Sequence, residues 1–208
     1  MIDHPLRGRF NAFLLDLLEG YMHRKYGVIK QQLFANLPAV VVELGPGTGA
    51  NLRYLPPNTT LIAYEPNRQM HAKLFHMAKQ RGIKLDLRTS PAEVLDLDSA
   101  SVDFVFCTLV LCTVSRPEEV LLEVKRILRS GGRFICIEHI AAATNSPTHR
   151  LQRFIARPWS WLFEGCDVCR TTDKLLHSAG FARVNLKRFI LPTIFLPLRH
   201  QLAAICTK

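Results

Sequence analysis

The chain lacks an uninterrupted apolar run of membrane-span length, which excludes a simple spanning helix. Its first residues, MIDHPLRGRF, contain no secretory apolar core before Asp16 interrupts Phe13-Leu14-Leu15, so a cytosolic location is expected. Acidic residues are few, 17 against 27 Lys and Arg, for a net charge of +10. The excess is spread along the chain, as a solvated basic surface would be. Arg150, Arg153 and Arg157 lie close in sequence to Trp159, Trp161 and Phe163. Peripheral contact with an anionic membrane is therefore the second reading of the charge, and nucleic acid the third. Internal repeats and low-complexity segments are absent. Cys166 and Cys169 form a C-x-x-C with no second pair or histidine at zinc-ligand spacing, so no metal is expected. The other cysteines lie in apolar surroundings and read as small hydrophobes, with no disulfide framework.

A length of 208 residues suits one domain with a full core. Residues 1–37 read as a helical prelude, with Phe10, Phe13, Leu14, Leu17, Leu18 and Tyr21 on one face. Gly27 and the Asn36-Leu37-Pro38 turn break that pattern. The prelude is expected to cover the carboxyl edge of a sheet. Residues 38–140 read as a cofactor-binding core and residues 141–208 as substrate-side helices followed by a hairpin.

In the core, strands at Val40–Leu44, Thr60–Tyr64, Ile83–Arg88, Val102–Cys107 and Arg133–Glu138 alternate with helical segments. Asn67 caps one helix, which Gly82 closes. Pro117, with Glu118 and Glu119, opens another that runs to Gly131-Gly132. Such alternation builds a parallel sheet with helices on both faces. Helices near 148–163 and 171–178 follow. The link between Arg183–Ile190 and about Gln201–Cys206 is too short for a helical crossover, so these last strands pair antiparallel.

The first strand runs into E-L-G-P-G-T-G-A-N, residues 43–51. Gly45, Gly47 and Gly49 permit close approach to the backbone, and a short helical stretch follows. Gly45, Gly47 and Ala50 also satisfy G-x-G-x-x-A, and Glu65 stands where an acid holds a ribose. A dinucleotide and another adenosine-bearing cofactor therefore both remain open. Glu43 disfavours a diphosphate and favours the ammonium and sulfonium of S-adenosylmethionine. The antiparallel ending also departs from a second mononucleotide half. No N-P-P-Y or D-P-P-Y run follows the fourth strand, where Thr108-Leu109-Val110-Leu111 stand instead, so a grip on an extruded base is not expected.

E-L-G-P-G-T-G (43–49), Y-E-P-N (64–67), S-V-D-F-V-F (101–106), L-R-S-G-G-R-F (128–134) and L-L-H-S-A-G-F (175–181), in that order, resemble the class I S-adenosylmethionine-dependent methyltransferases. The resemblance covers about residues 38 to 206. It implies a Rossmann-like α/β fold: a seven-stranded, mostly parallel sheet with a C-terminal antiparallel hairpin and helices on both faces. G-Y-M-H-R-K-Y-G (20–27), C-T-L-V-L-C-T-V (107–114), I-E-H (137–139) and E-G-C (164–166) look like the small alkyl-thiol methyltransferases, whose animal members are microsomal. Pro46 stands where that family usually has Cys, and Glu65 where Asp is usual.

The resemblance implies that Glu43 and the Gly45–Gly49 loop hold the methionine part of S-adenosylmethionine and that Glu65 accepts from the ribose hydroxyls. Asn67 would lie near the adenine. Ala92 and Glu93 would meet its amino group, and Leu109 would line the methyl end. The implied acceptor is a small-molecule thiol, with a lipid head group or a quinone or phenolic ring as the alternative. A thiol is itself partly ionised at neutral pH, so a base is helpful rather than mandatory. His139, just past the fifth strand, is the candidate general base. Tyr21 and His23 of the prelude could close over the methyl group. Cys112 is a candidate lining residue, and Cys166 has no assigned chemistry.

Overall fold

The computed structural model describes residues 5–208, so residues 1–4 of the expected prelude lie outside the described residues. The prelude forms α1 (Pro5–Leu17) and α2 (Glu19–Leu33), with a turn at Leu18. Gly27 does not break the pattern. It is buried inside α2, where an added Cβ would stand 3.4 Å from the His23 ring, an ordinary contact.

The elements β1 (Val40–Leu44), β2 (Thr60–Tyr64), α3 (Arg68–Arg81), β3 (Lys84–Arg88), β4 (Val102–Thr108), α4 (Pro117–Ile127) and β5 (Leu128–His139) follow. The chain then forms α5 (Pro147–Leu162), α6 (Thr172–Ser178), β6 (Arg183–Ile190) and β7 (His200–Thr207). One seven-stranded sheet has the order β3-β2-β1-β4-β5-β7-β6. The pairs among β1 to β5 are parallel, while β7 is antiparallel to both β5 and β6.

Alternation along β1 sends its valines to two cores. Val42 and Leu44 join Val105, Phe134 and Cys136 beneath Val120, Leu121 and Val124 of α4. Val41 joins Leu61, Phe104, Phe106 and Ile135 beneath Leu74, Met77 and Ala78 of α3. Phe106 is fully buried, so truncation to Ala would cost about 3–5 kcal/mol.

The Gly131-Gly132 pair corrects the expected end of α4. That helix stops at Ile127, Leu128 is extended, and Gly131 and Gly132 lie inside β5. An added Cβ at Gly132 would stand 2.9 Å from the Arg129 carbonyl oxygen, so the glycine serves a kink in the strand. The register between β4 and β5 shifts at the same level, between Val102 and Phe104.

The α4 helix also steadies a loop that faces the site. Pro117 and two acids begin it, as the exposed N–H groups of a helix start favour. Glu123 accepts from the Leu95 N–H, and Arg126 donates to the carbonyls of Leu95 and Leu97. The segment carrying Ala92 and Glu93 is thereby tied to α4. Chain order reverses direction between β1 and β4, and ligands of open α/β sheets sit in the crevice at that point.

Candidate active site

The carboxyl ends of β1, β2, β4 and β5 open into a cavity of about 290 Å³. Helices α1 and α2 and the turn between them contribute Asn11, Leu14, Leu18, Met22 and Lys30 to its wall, and Trp159 and Phe163 close another side.

The glycine loop begins with Gly45 and Gly47 at φ +59° and +60°. A Cβ on Gly45 would stand 2.6 Å from Val110 Cγ2, so a side chain there would displace the loop after β4. Gly45 and Gly47 line the cavity, whereas Gly49 does not. An added Cβ at Gly49 would press on Leu74, Met77 and Leu52, which identifies a packing glycine. The loop leads into the expected short helical stretch, a three-residue 3₁₀ turn at Leu52–Tyr54. The extended helix N-terminus on which a dinucleotide's diphosphate would rest is missing from that place.

Glu43 is fully buried but is not on the cavity wall; Asn51 is. Asn51 Nδ2 donates to Glu43 Oε1 at 2.7 Å and to Thr108 Oγ1 at 3.1 Å. Glu43 Oε2 and Asn51 Oδ1 are buried and have no hydrogen-bond partner among the described residues. Burial pushes the Glu43 carboxyl up to about 7 against the Asn51 hydrogen bond and the charge of Lys30, which lower it. Lys30 was not singled out from the sequence. It is buried, lines the cavity and lies over the Tyr26 and Tyr54 rings at 5.7 and 5.8 Å. Burial lowers its ammonium to about 8. The available signal was Tyr26 with Lys30 one helical turn later.

Glu65 lines the cavity at the end of β2. Its two oxygens accept from Gly47 N–H and Asn67 N–H, both at 2.9 Å. Burial raises its carboxyl to about 7, and the negative charge of Glu164 adds to the rise. Asn67 is placed differently from the expectation, because its side chain is off the cavity wall. Its Oδ1 caps α3 through Gln69 N–H, and its Nδ2 donates to Glu164. Ala92 and Glu93 both line the cavity. Glu93 also accepts a long hydrogen bond from Arg116 N–H.

Leu109 lines the cavity with φ +58°, a costly backbone conformation for a branched side chain. Glu138 holds the turn that follows. Its carboxylate accepts from the N–H groups of Val110, Leu111 and Cys112 at 2.8, 2.9 and 3.2 Å. The I-E-H motif contained this residue, but nothing local revealed contacts made 26 to 28 residues away.

His139 is buried and lines the cavity, with Nε2 hydrogen-bonded to Cys166 Sγ at 3.1 Å. That nitrogen is already engaged, unlike that of a free general base. His139 Nδ1 has no hydrogen-bond partner among the described residues. Trp159 Nε1–H donates to Cys166 Sγ at 3.4 Å. Cys112 joins the group: its sulfur, His139 and Cys166 offer ligand atoms within 4.8 Å of one another. The Cys112 hydrogen bond and the neighbouring His139 hold the Cys166 thiol well below its usual range, against burial. Burial lowers His139, but the hydrogen bond and charge of Cys166 outweigh it, so the imidazole is raised. Sequence spacing had tied Cys166 to Cys169, whereas the fold joins it to residues far along the chain.

Tyr21 and His23 do not line the cavity, which corrects their expected place over the methyl group. Tyr21 donates to Thr193 Oγ1 at 2.9 Å and accepts from Ile194 N–H, tying α2 to the β6–β7 connection. His23 is exposed and hydrogen-bonds Tyr54 OH at 2.7 Å.

The arrangement fits an adenosine-bearing sulfonium donor. The carboxylate of Glu65, the ammonium of Lys30 and the amide of Asn51 belong to residues that line one cavity. Comparisons with known proteins agree. Residues 42–136 match the methyltransferase domain family. The chain is 32% identical to human thiol S-methyltransferase TMT1B over 98% of its length and 88% of the relative's. It is 33% identical to human thiol S-methyltransferase TMT1A over 86% of this chain and 78% of that one. In fold it is similar to a Thermotoga maritima protein described as an S-adenosylmethionine-dependent methyltransferase, possible histamine N-methyltransferase. The TM-score is 0.65, at 23% identity over 96% of this chain and 98% of that one. The chain belongs to the S-adenosylmethionine-dependent methyltransferases, in the family that includes the human thiol S-methyltransferases TMT1A and TMT1B.

Proposed function

We propose that this enzyme methylates a small-molecule thiol. The supporting observation is the cavity's acceptor end, where Cys112, His139 and Cys166 meet under apolar walls. That lining suits a soft acceptor. The Glu138 carboxylate nearby is occupied by three backbone N–H groups, which leaves it a poor anchor for an amine.

S-adenosylmethionine supplies a methyl group already activated on a sulfonium. In this reading Glu65 accepts from the ribose hydroxyls, and Lys30 faces the methionine carboxylate. Asn51, oriented by Glu43, accepts from the ammonium. Glu93 and Ala92 flank the adenine. Leu109 and the turn fixed by Glu138 set the wall at the methyl end. Leu14, Leu18, Met22 and Phe163 exclude water. Holding acceptor and donor in line can supply about 7–11 kcal/mol of the barrier, and an acceptor that ionises readily asks for little more.

The test is an initial-rate comparison of an alkyl thiol with the alcohol and amine of the same skeleton. Turnover restricted to the thiol is expected. Equal or faster turnover of a phenol or an ethanolamine head group would overturn the reading.

A second reading places the acceptor in a lipid surface. Phe154 and Trp161 are 85% and 66% exposed on α5, beside Arg150, Arg153 and Arg157. Phe10 and Phe13 of α1 and Ile194 are also exposed, and Arg7 of α1 donates to the Trp161 carbonyl. An apolar rim with basic neighbours suits an anionic interface. Among the described residues no helix is long and apolar enough to cross a membrane. Co-flotation with anionic vesicles, lost in Phe154→Ser with Trp161→Ser, is the expected result. Absence of flotation by the unaltered chain would remove this reading.

A further inference from the structure

Cys112, His139 and Cys166 arrive from three places: the loop after β4, the end of β5 and the turn after α5. Their sulfurs and an imidazole nitrogen lie within 4.8 Å of one another, and all three residues are buried. We propose that this trio binds a soft divalent cation of the zinc class, with the fourth position open to the cavity and filled by the acceptor's sulfur as a thiolate. The inference rests on the thiol reading above and deepens it.

The donor set comes first. Two thiolates and one imidazole suit zinc, and three protein ligands with one open position is the arrangement of catalytic zinc sites. The spacing agrees. Bond lengths of about 2.3 Å to sulfur and 2.0–2.1 Å to nitrogen place tetrahedral ligand atoms roughly 3.5–3.8 Å apart. The observed 3.1 Å between His139 Nε2 and Cys166 Sγ differs from that by tenths of an ångström.

The backbone is organised for the same end. Glu138 fixes the Cys112 loop through three N–H groups. Asp167 N–H donates to the Cys112 carbonyl at 2.8 Å and joins the two cysteine loops. Gly165 turns at φ +98°, with Thr113 O 2.9 Å from where its Cβ would be, so this close approach requires glycine. Trp159 N–H points at Cys166 Sγ, as outer hydrogen-bond donors do toward thiolate ligands. All three ligands also line the cavity, so a bound cation would face the acceptor.

The chemistry balances without an oxidant or reductant. The acceptor thiol releases its proton to solvent as its sulfur binds the cation. Its sulfur–methyl bond forms while the donor's sulfonium carbon–sulfur bond breaks, and that electron pair stays on the donor sulfur. The methylated product is a neutral thioether, a weaker ligand than a thiolate, and leaves the cation.

The test uses the full chain purified without chelator. Metal content is measured by plasma mass spectrometry. Cobalt(II) is then exchanged in and thiolate-to-cobalt charge-transfer absorption is followed. About one zinc per chain and a charge-transfer band that shifts on adding an alkyl thiol are expected. Cys166→Ser should weaken cobalt binding at least about tenfold, while Cys169→Ser, whose residue lies outside the trio, binds as the unaltered chain does. An unaltered chain that neither retains zinc nor gives the cobalt band would overturn the proposal. Thiol methylation undiminished in metal-free protein would also overturn it and leave the thiol reading intact. Metal binding without any thiol methylation would instead sink the thiol reading and leave the cation site standing.

Discussion

Replacing Glu65 with Gln changes one oxygen to an amide and, at pH 8 where the carboxyl is mostly ionised, removes one charge. Both carboxylate oxygens now accept backbone N–H groups, from Gly47 and Asn67. A glutamine has one acceptor oxygen, so one of those N–H groups must face an NH₂. An orphaned donor of this kind costs about 1–3 kcal/mol, and that cost falls on stability because it exists with or without ligand. The ribose contact is different, because it exists only in the complex. Losing one charge-assisted hydrogen bond there costs about 1.5–3 kcal/mol, or about 10- to 150-fold in affinity. Calorimetric titration with S-adenosylhomocysteine reads the second quantity, and urea unfolding reads the first. The expected result is a Kd raised by that factor with a separate loss of stability of about 1–3 kcal/mol. Glu65→Asp should retain part of the affinity. A Kd within twofold of the unaltered enzyme, alongside the expected stability loss, would make Glu65 a loop brace and refute its assignment to the ribose.

Glu138→Gln should cost about 2 kcal/mol in urea unfolding, because the amide cannot satisfy the N–H groups of Val110, Leu111 and Cys112 together; unchanged stability would contradict the geometry. Lys30→Met should weaken S-adenosylhomocysteine by about 2 kcal/mol, roughly 30-fold, and leave adenosine binding unaltered; equal losses for both ligands would contradict its placement at the methionine end. The carboxyls of Glu43 and Glu65 rise from 4.5 to about 7, chiefly through burial. A raised folded-state pKa gives stability that is full below about 4.5 and lost as pH climbs through about 7, on the order of 3 kcal/mol per group. With Cys166→Ser, which removes the opposing contribution of a thiol held below its usual range, the ligand-free enzyme should melt at lower temperature at pH 8 than at pH 6, measured by calorimetry; a melting temperature that rises over that window would contradict the burial argument.

The strands were legible where local pattern is sufficient. Three consecutive valines ahead of a glycine loop suit a buried strand, and β1, β2 and β6 begin and end where alternation and turn residues place them. The start of β5 was not legible. Leu128 continues the apolar period of α4, and only its pairing with Val102 shows that the chain has already extended. The prelude shows the same dependence on partners. Its sequence supports an apolar face through Phe10, Phe13 and Leu17, yet those side chains are exposed, while Asn11, Leu14 and Leu18 meet the cavity. Helical periodicity names faces but not what lies opposite them. In the site, Glu65 and the first two glycines were readable because their chemistry is local to a strand end. Cys112, His139 and Cys166 stand 27 residues apart in each step, and no short spacing reports a cluster assembled from two strand ends and the turn after α5.

The most direct test of thiol methylation is transfer of a trideuterated methyl group from labelled S-adenosylmethionine to an alkyl thiol, with both products quantified by mass spectrometry. A labelled thioether formed in equal amount with S-adenosylhomocysteine, and absent when the oxygen analogue replaces the thiol, is the predicted result. S-adenosylhomocysteine formed with the label on a phenol or a lipid head group, and none on sulfur, would contradict it.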